Sequence, residues 1–191
     1  MLKSAFHIAA VAAVAGIVLV PGIASAATAS PNVLARSSNP AGGDPDTTVT
    51  FTVTTGALSM TAPVSAALGS GAPGTTISGA LGAVTVTDDR ALLEASWTAT
   101  ASSTDWTTGG ATPAETIPAT DVGYDPGSIT TTGTITATGT PITLANTAAP
   151  VVTGTAGVGN NTASWNPDLS VAVPAAAVGG TYTATLAESV S

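Results

Sequence analysis

The sequence contains no cysteine, which excludes disulfide bonds and thiolate metal sites as sources of stability. Charge is also scarce: charged residues make up 7% of the 191 residues, and 3 Lys+Arg face 11 Asp+Glu for a net charge of −8. So few cations cannot neutralise a phosphate backbone, which excludes a nucleic-acid partner. Aromatic residues amount to only 4%, so each Trp or Tyr is a candidate core anchor or ligand contact.

Catalytic residue types are missing from most of the chain. Histidine and lysine occur once each, as His7 and Lys3. Beyond them the sequence lacks the residues that form Ser–His and Cys–His nucleophiles, lysine Schiff bases and the usual zinc sites. No spacing pairs two of the carboxylates as a glycosidase would require. The sequence therefore predicts a protein that is not an enzyme and has no cofactor.

The first 26 residues have the pattern of an export signal. Lys3 precedes an apolar run over residues 5–20, and Ala24-Ser25-Ala26 forms a small-x-small cleavage site. The run is shorter than the roughly 20 residues of a membrane-spanning helix. We therefore expect a signal peptide over residues 1–26, a secreted product, and no membrane span after signal removal.

The remaining chain divides by composition. Residues 27–46, rich in Ala, Ser, Asn, Pro and Gly, are typical of a flexible leader. From residue 47 onward, apolar side chains alternate with Thr or Ser, which is the period of a half-buried strand. The clearest alternating stretches are 48–54, 93–100, 129–138, 162–173 and 181–190.

Gly- and Pro-containing turns separate these stretches, and a change of parity beside Gly82 predicts a bulge or corner. Residues 47–191 are therefore expected to form an all-β fold. We predict a single antiparallel β-sandwich, Ig-like or jelly-roll-like, with about 8–10 strands.

Two stretches resemble the WxL-domain family of bacterial cell-surface proteins. The first comprises 84–90 (VTVTDDR), 95–101 (ASWTATA) and 104–107 (TDWT), and the second comprises 162–174 (TASWNPDLSVAVP) and 179–186 (GGTYTATL). Where the family has Trp-x-Leu, this chain has Trp97-Thr98-Ala99 and Trp165-Asn166-Pro167. The resemblance implies non-covalent attachment to the peptidoglycan of Gram-positive cell walls.

Strand parity relates each Trp of these motifs to an apolar neighbour. Residues two apart on a strand face the same side, so Ala99 lies beside Trp97 and Leu169 shares the face of Trp165. This parity favours a core position for both Trp residues over a ligand platform. Trp106, beside Asp105 and a Gly-Gly turn, is the better candidate for a surface contact, followed by Tyr124.

Four aspartates are weak candidates for a Ca²⁺ site: Asp88, Asp89, Asp121 and Asp125. Their spacing is not that of an EF-hand, and paired Asp residues in turns are common without metal. Arg90 is expected to pair with one of these carboxylates.

The sequence thus predicts a secreted, non-enzymatic protein associated with the cell wall. Peptidoglycan or other surface proteins are the expected partners. Because the chain is acidic, any wall binding must depend on short-range hydrogen bonds and aromatic contacts, since anionic wall polymers would repel it. The alternative is a structural or matrix filament subunit that self-associates by β-strand exchange, with residues 27–46 as the donated strand.

Overall fold

A computed structural model describes residues 47–110 and 112–191. The predicted signal peptide and leader therefore lie outside the described residues. In the compact unit Thr50–Ser191 the regular secondary structure consists almost entirely of antiparallel strands, which confirms the all-β prediction. Its strands are β1 (Leu58–Thr61), β2 (Thr76–Ala80), β3 (Val84–Ser103), β4 (Trp106–Thr107), β5 (Thr116–Ile117), β6 (Val122–Asp125), β7 (Ile129–Thr132), β8 (Thr136–Gly139), β9 (Ile142–Thr143), β10 (Ala149–Trp165), β11 (Asp168–Ala172) and β12 (Leu186–Val190). Short 3₁₀ turns span Pro113–Glu115 and Ala119–Asp121.

Two long strands, β3 and β10, pair along their length and form the centre of a six-stranded sheet. On the far side of β3 lie β1 and β12, one after the other, and on the far side of β10 lie β7 and β8. A four-stranded sheet has the order β2-β11-β6-β9, and β4 and β5 form a separate ribbon.

The core lies where inward-facing residues of the two sheets meet. The large sheet contributes Val84, Val86, Trp97, Ala99, Val151, Val152, Ala163 and Trp165, and the four-stranded sheet contributes Val122, Tyr124, Leu169 and Val171. The indole of Trp97 lies against Gly154 on the paired strand, where a Cβ would collide with the ring. This core supplies the stability that disulfides cannot.

Several predicted strands are interrupted where the chain turns. The stretch 129–138 is two strands that run in the same direction along β10, and Gly133, with φ +81°, lies in the interruption between β7 and β8. The stretch 162–173 also divides, at Asn166-Pro167, where the chain leaves the large sheet as β10 and enters the smaller one as β11. The corner predicted beside Gly82 is confirmed, since β2 and β3 belong to different sheets.

The strand predicted over residues 48–54 is wrong. Residues 47–57 belong to no strand, and Val49, Phe51 and Val53 are 81%, 86% and 71% exposed. Pairing with β3 begins only where the Gly56 N–H donates to the Asp89 carbonyl (2.7 Å) and the Asp89 N–H donates to the Ala57 carbonyl (3.0 Å). Alternation of apolar and polar residues gives a segment the propensity to form a strand, but a strand also needs a neighbour to pair with, and residues 48–54 have none among the described residues.

Within the described residues, the structure contains no helix long and apolar enough to cross a membrane.

Candidate binding cleft

A cleft of about 480 Å³ lies at the end of the sandwich beside β4 and β5. Apolar side chains from the four-stranded sheet, the ribbon and two loops form its walls: Leu68, Ile77, Trp106, Ile117, Val171, Val173 and Tyr182. Its lining contains no charged side chain within the described residues. Gly69, Gly71, Gly179 and Gly180 leave backbone groups uncovered at its edges.

Backbone pairing fixes the two aromatic residues of the cleft. Trp106 pairs with Ile117, and the next residue, Thr107, exchanges two backbone hydrogen bonds with Thr183 (3.1 and 3.0 Å). The neighbouring Tyr182 hydroxyl lies 3.0 Å from the carbonyl oxygens of both Ala114 and Val178. The rings are therefore held in place by the fold without a ligand.

The indole nitrogen of Trp106 is buried and has no hydrogen-bond partner among the described residues. A buried donor without an acceptor costs about 1–3 kcal/mol. The predicted contact Trp106 is thus half-buried on a cleft wall and does not project from the surface.

Tyr124, the second predicted contact, is 1% exposed, so the prediction that it lies on the surface is wrong. Its hydroxyl accepts a hydrogen bond from Trp165 Nε1 (3.0 Å) and donates one to Glu188 Oε1 (2.7 Å). These three residues connect β6 of one sheet with β10 and β12 of the other. Burial raises the pKa of the Glu188 carboxyl and, more strongly, the pKa of the Tyr124 phenol.

The motif residues Trp97, Ala99, Trp165 and Leu169 are all buried in the core. Trp97 and Ala99 share the inner face of β3, as parity predicted. Trp165 and Leu169 do not share a strand, because Pro167 lies at the turn between β10 and β11. They approach the core from opposite sheets, and all four side chains are inaccessible to a ligand.

The four Ca²⁺ candidates are not brought together. In the described part of the chain, no three His, Cys, Asp or Glu side chains form a group that could hold a metal ion. Asp88 and Asp89 lie on β3, whereas Asp121 directly precedes β6 of the other sheet and Asp125 is the last residue of β6. Asp125 Oδ1 accepts the Gly127 N–H (2.9 Å), and Asp121 lines a shallow depression on the outer surface.

Asp88 instead forms the ion pair that was expected for Arg90. Arg90 Nε and Nη2 donate to the two carboxylate oxygens of Asp88 at 2.8 and 2.7 Å, and Nη2 also donates to the Ser96 carbonyl (2.8 Å). The guanidinium hydrogen bonds hold the pKa of the Asp88 carboxyl below its usual range. The prediction of a structural role for Arg90 agrees with this geometry.

Sequence reasoning missed most of the cleft. Tyr182 lies in the alternating stretch 181–190, which was predicted to be a strand although β12 begins only at Leu186, and Leu68 belongs to no recognisable pattern. The available signals were Gly179-Gly180 before Tyr182 and the glycines at 69 and 71. No family model, curated protein or solved structure matches this chain.

Proposed function

We propose that this protein is a secreted, non-enzymatic cell-surface protein that binds cell-wall peptidoglycan non-covalently, and that the cleft at Trp106 receives the glycan. One observation carries the proposal: two fixed aromatic residues line an uncharged, open cleft, and the buried indole N–H of one of them has no hydrogen-bond partner among the described residues.

The chemistry of the cleft suits an N-acetylated sugar. The apolar faces of sugar rings stack on aromatic side chains, and an acetamido or hydroxyl oxygen would accept the hydrogen bond from Trp106 Nε1. Ser70, Thr181 and the uncovered backbone at Gly179 and Gly180 supply further polar contacts. Phosphate-rich wall polymers are a poorer match, because no cation lines the cleft within the described residues.

The first experiment is co-sedimentation of the full chain, as its expression host processes it, with insoluble peptidoglycan and with a tube containing no wall material. We expect saturable pelleting only with the wall. Trp106→Phe, which keeps a ring and removes the indole N–H, and Val178→Gln, at the exposed rim, should each weaken binding about tenfold.

Val64→Gln is the matched control, since Val64 is fully exposed and does not line the cleft. It should bind like the wild type. Equal binding by the wild type and both cleft variants would contradict the cleft as the site. Absence of pelleting by the wild type would contradict peptidoglycan as the ligand.

Salt dependence separates short-range contacts from charge attraction. Binding by stacking and hydrogen bonding should persist from about 0.1 M to 1 M NaCl, where screening is nearly complete. Loss of binding over this range would point to ionic bridging and away from the cleft.

A further inference from the structure

The inward face of β12 carries an acid at a position where the strand pattern calls for an apolar residue. Leu186, Glu188 and Val190 alternate with the exposed Ala187 and Ser189, and Leu186 and Val190 pack against the core. Residues two apart on a strand face the same side, so Glu188 points toward the sandwich interior between two apolar neighbours. The residue is half-buried and lies in register with residue 101 of β3.

A hydrogen bond from the facing sheet positions the Glu188 carboxyl. The hydroxyl of Tyr124, on β6, donates to Glu188 Oε1 at 2.7 Å and accepts from Trp165 Nε1 at 3.0 Å. Tyr124 and Trp165 are 1% and 2% exposed, so the hydroxyl is fixed by the core. It can donate to a carboxyl oxygen whether the carboxyl is neutral or ionised. The contact therefore holds the side chain in place in both protonation states.

The Glu188 carboxyl has no cation near it among the described residues. Arg90 is the only Lys or Arg of that part of the chain, and its guanidinium binds both carboxylate oxygens of Asp88. A half-buried carboxylate without a cation is less stable than one in water, which favours the neutral acid. Burial accordingly raises the pKa of the Glu188 carboxyl, and the hydrogen bond from Tyr124 opposes that rise only in part.

The strands around β12 bring one further ionisable side chain to Glu188 within the described residues, the Tyr124 phenol. The part of β3 that pairs with β12, residues 99–103, carries no charge, and neither β1 nor β10 contains an ionisable side chain. The remaining ionisable groups of β3, β6 and the end of the chain lie elsewhere: Asp88, Asp89, Arg90 and Glu94 on β3 outside the β12 pairing, Asp125 at the exposed end of β6, and the main-chain carboxylate of Ser191 opposite Thr98.

Acid stabilises the attachment of β12, and base weakens it. Below about pH 4.5, the ordinary pKa of a glutamate, the carboxyl is neutral in both the folded and the unfolded chain, so its burial costs no charge desolvation. As the pH rises through the raised folded-state pKa, the carboxyl ionises in its half-buried position and that stabilisation is lost. The sign is opposite to that of Asp88, whose contribution is lost at lower pH.

β12 can leave the sheet without disturbing the pairing of the central strands. It pairs with β3 alone, whereas β3 is also paired with β10 on its other side. Detachment takes the Glu188 carboxylate into water and gives up the core contacts of Leu186 and Val190. A local opening of one edge strand requires less free energy than global unfolding.

We propose that Glu188 makes the attachment of β12 to β3 depend on protonation, so that ionisation of its carboxyl increases the fraction of molecules in which β12 is detached. Detachment uncovers the backbone of β3 over residues 98–103. The segment before β12 is held separately, because Thr183 exchanges backbone hydrogen bonds with Thr107 (3.1 and 3.0 Å). The inference therefore concerns β12 alone and does not depend on the cleft or its ligand.

The test is amide hydrogen exchange of the full chain, as processed by its host, from about pH 4 to about pH 8. Each rate is divided by the intrinsic exchange rate at the same pH to give a protection factor. Thr98 exchanges backbone hydrogen bonds with Ser191, so by alternation the amides of Thr100 and Ser102 also point to β12, whereas that of Ala99 points to β10. In the wild type, protection of β12, Thr100 and Ser102 should fall severalfold toward pH 8, and protection of Ala99 should not.

Two substitutions remove the ionisation of Glu188. Glu188→Gln keeps an oxygen that accepts the Tyr124 hydroxyl, and Glu188→Leu restores the apolar pattern of β12. In both variants, protection of β12 should show no loss toward pH 8, and Glu188→Gln should match the wild type at pH 4. Glu94→Gln is the matched control, since Glu94 is exposed on β3 outside the β12 pairing and the change in net charge is the same. It should keep the pH dependence of the wild type.

Three results would overturn the proposal. The first is a wild type in which protection of β12 does not change with pH. The second is an equal loss of protection in the wild type and in the Glu188 variants. The third is an equal loss at Ala99 and Thr100, because ionisation would then weaken the whole sandwich and not β12 alone.

Discussion

Residues 49–53 and residues 95–101 have nearly the same pattern, yet the structure treats them in opposite ways. In both, apolar side chains alternate with Thr or Ser. In the second stretch Ala95, Trp97, Ala99 and Ala101 are buried and paired with β10, whereas the apolar residues of the first are exposed. The comparison teaches that alternation shows which segments can form strands, and that the neighbours available for pairing decide which of them do.

The largest difference should appear between truncating an aromatic residue of the paired central strands and truncating one of residues 49–53. Trp165→Ala removes a core side chain that β10 carries and leaves the Tyr124 hydroxyl without its donor, so the free energy of unfolding should fall by about 3–5 kcal/mol. Phe51→Ala should change it by less than about 0.5 kcal/mol in dilute solution. Chemical denaturation of both variants checks this, and equal losses would mean that Phe51 is packed in the monomer.

A smaller effect is expected for the ion pair between Arg90 and Asp88 on β3. Arg90→Ala leaves the buried Asp88 carboxylate unpaired and should cost about 2–3 kcal/mol at neutral pH, less than a fully buried pair because the Arg90 side chain is 28% exposed. Arg90→Lys is the matched control, since it keeps the charge and loses the two-point contact. It should recover part of the loss.

The pH dependence of this pair has a definite sign. The folded-state pKa of Asp88 lies below its unfolded value near 3.8, so the stabilisation is present above that value and is lost as the pH falls through the folded pKa. Denaturation curves of wild type and Arg90→Ala should therefore converge at acid pH. A difference that stays constant down to the lowest pH would show that the pair is not the source of the loss.

Local patterns were sufficient for the all-β class, for the inward face of Trp97 and Ala99, and for the pairing of Arg90 with an aspartate. These features depend on residue type and on neighbours close in sequence. The division at Asn166-Pro167 was missed because the same parity fits one strand or two strands in facing sheets. The burial of Tyr124 depends on Trp165 and Glu188, which lie 41 and 64 residues away, so no local pattern could predict it.

The cleft was beyond prediction for the same reason. Its walls come from segments near residues 68, 106, 117, 171 and 182, which only the completed topology brings together. Trp106 was identified from its setting beside Asp105 and a glycine pair, and that setting does fix it, since Asp105 Oδ1 accepts the Ala119 N–H (2.9 Å). The local sequence indicated Trp106 but not the cavity around it.

The placement of β1 and β12 on one edge of β3 also determines how this unit yields to force. Gly56 lies opposite Asp89, so the chain enters β1 there, and Ser191 lies opposite Thr98, just after the end of β12. Both of these points border the same stretch of β3, residues 90–97, which neither β1 nor β12 covers. Tension applied between residues 56 and 191 loads each strand at that end. The strands are then peeled away one hydrogen bond at a time, at low force, whereas a shear geometry would load all the bonds of a strand together. Pulling would therefore detach β1 and β12 before it disturbed β3 and β10.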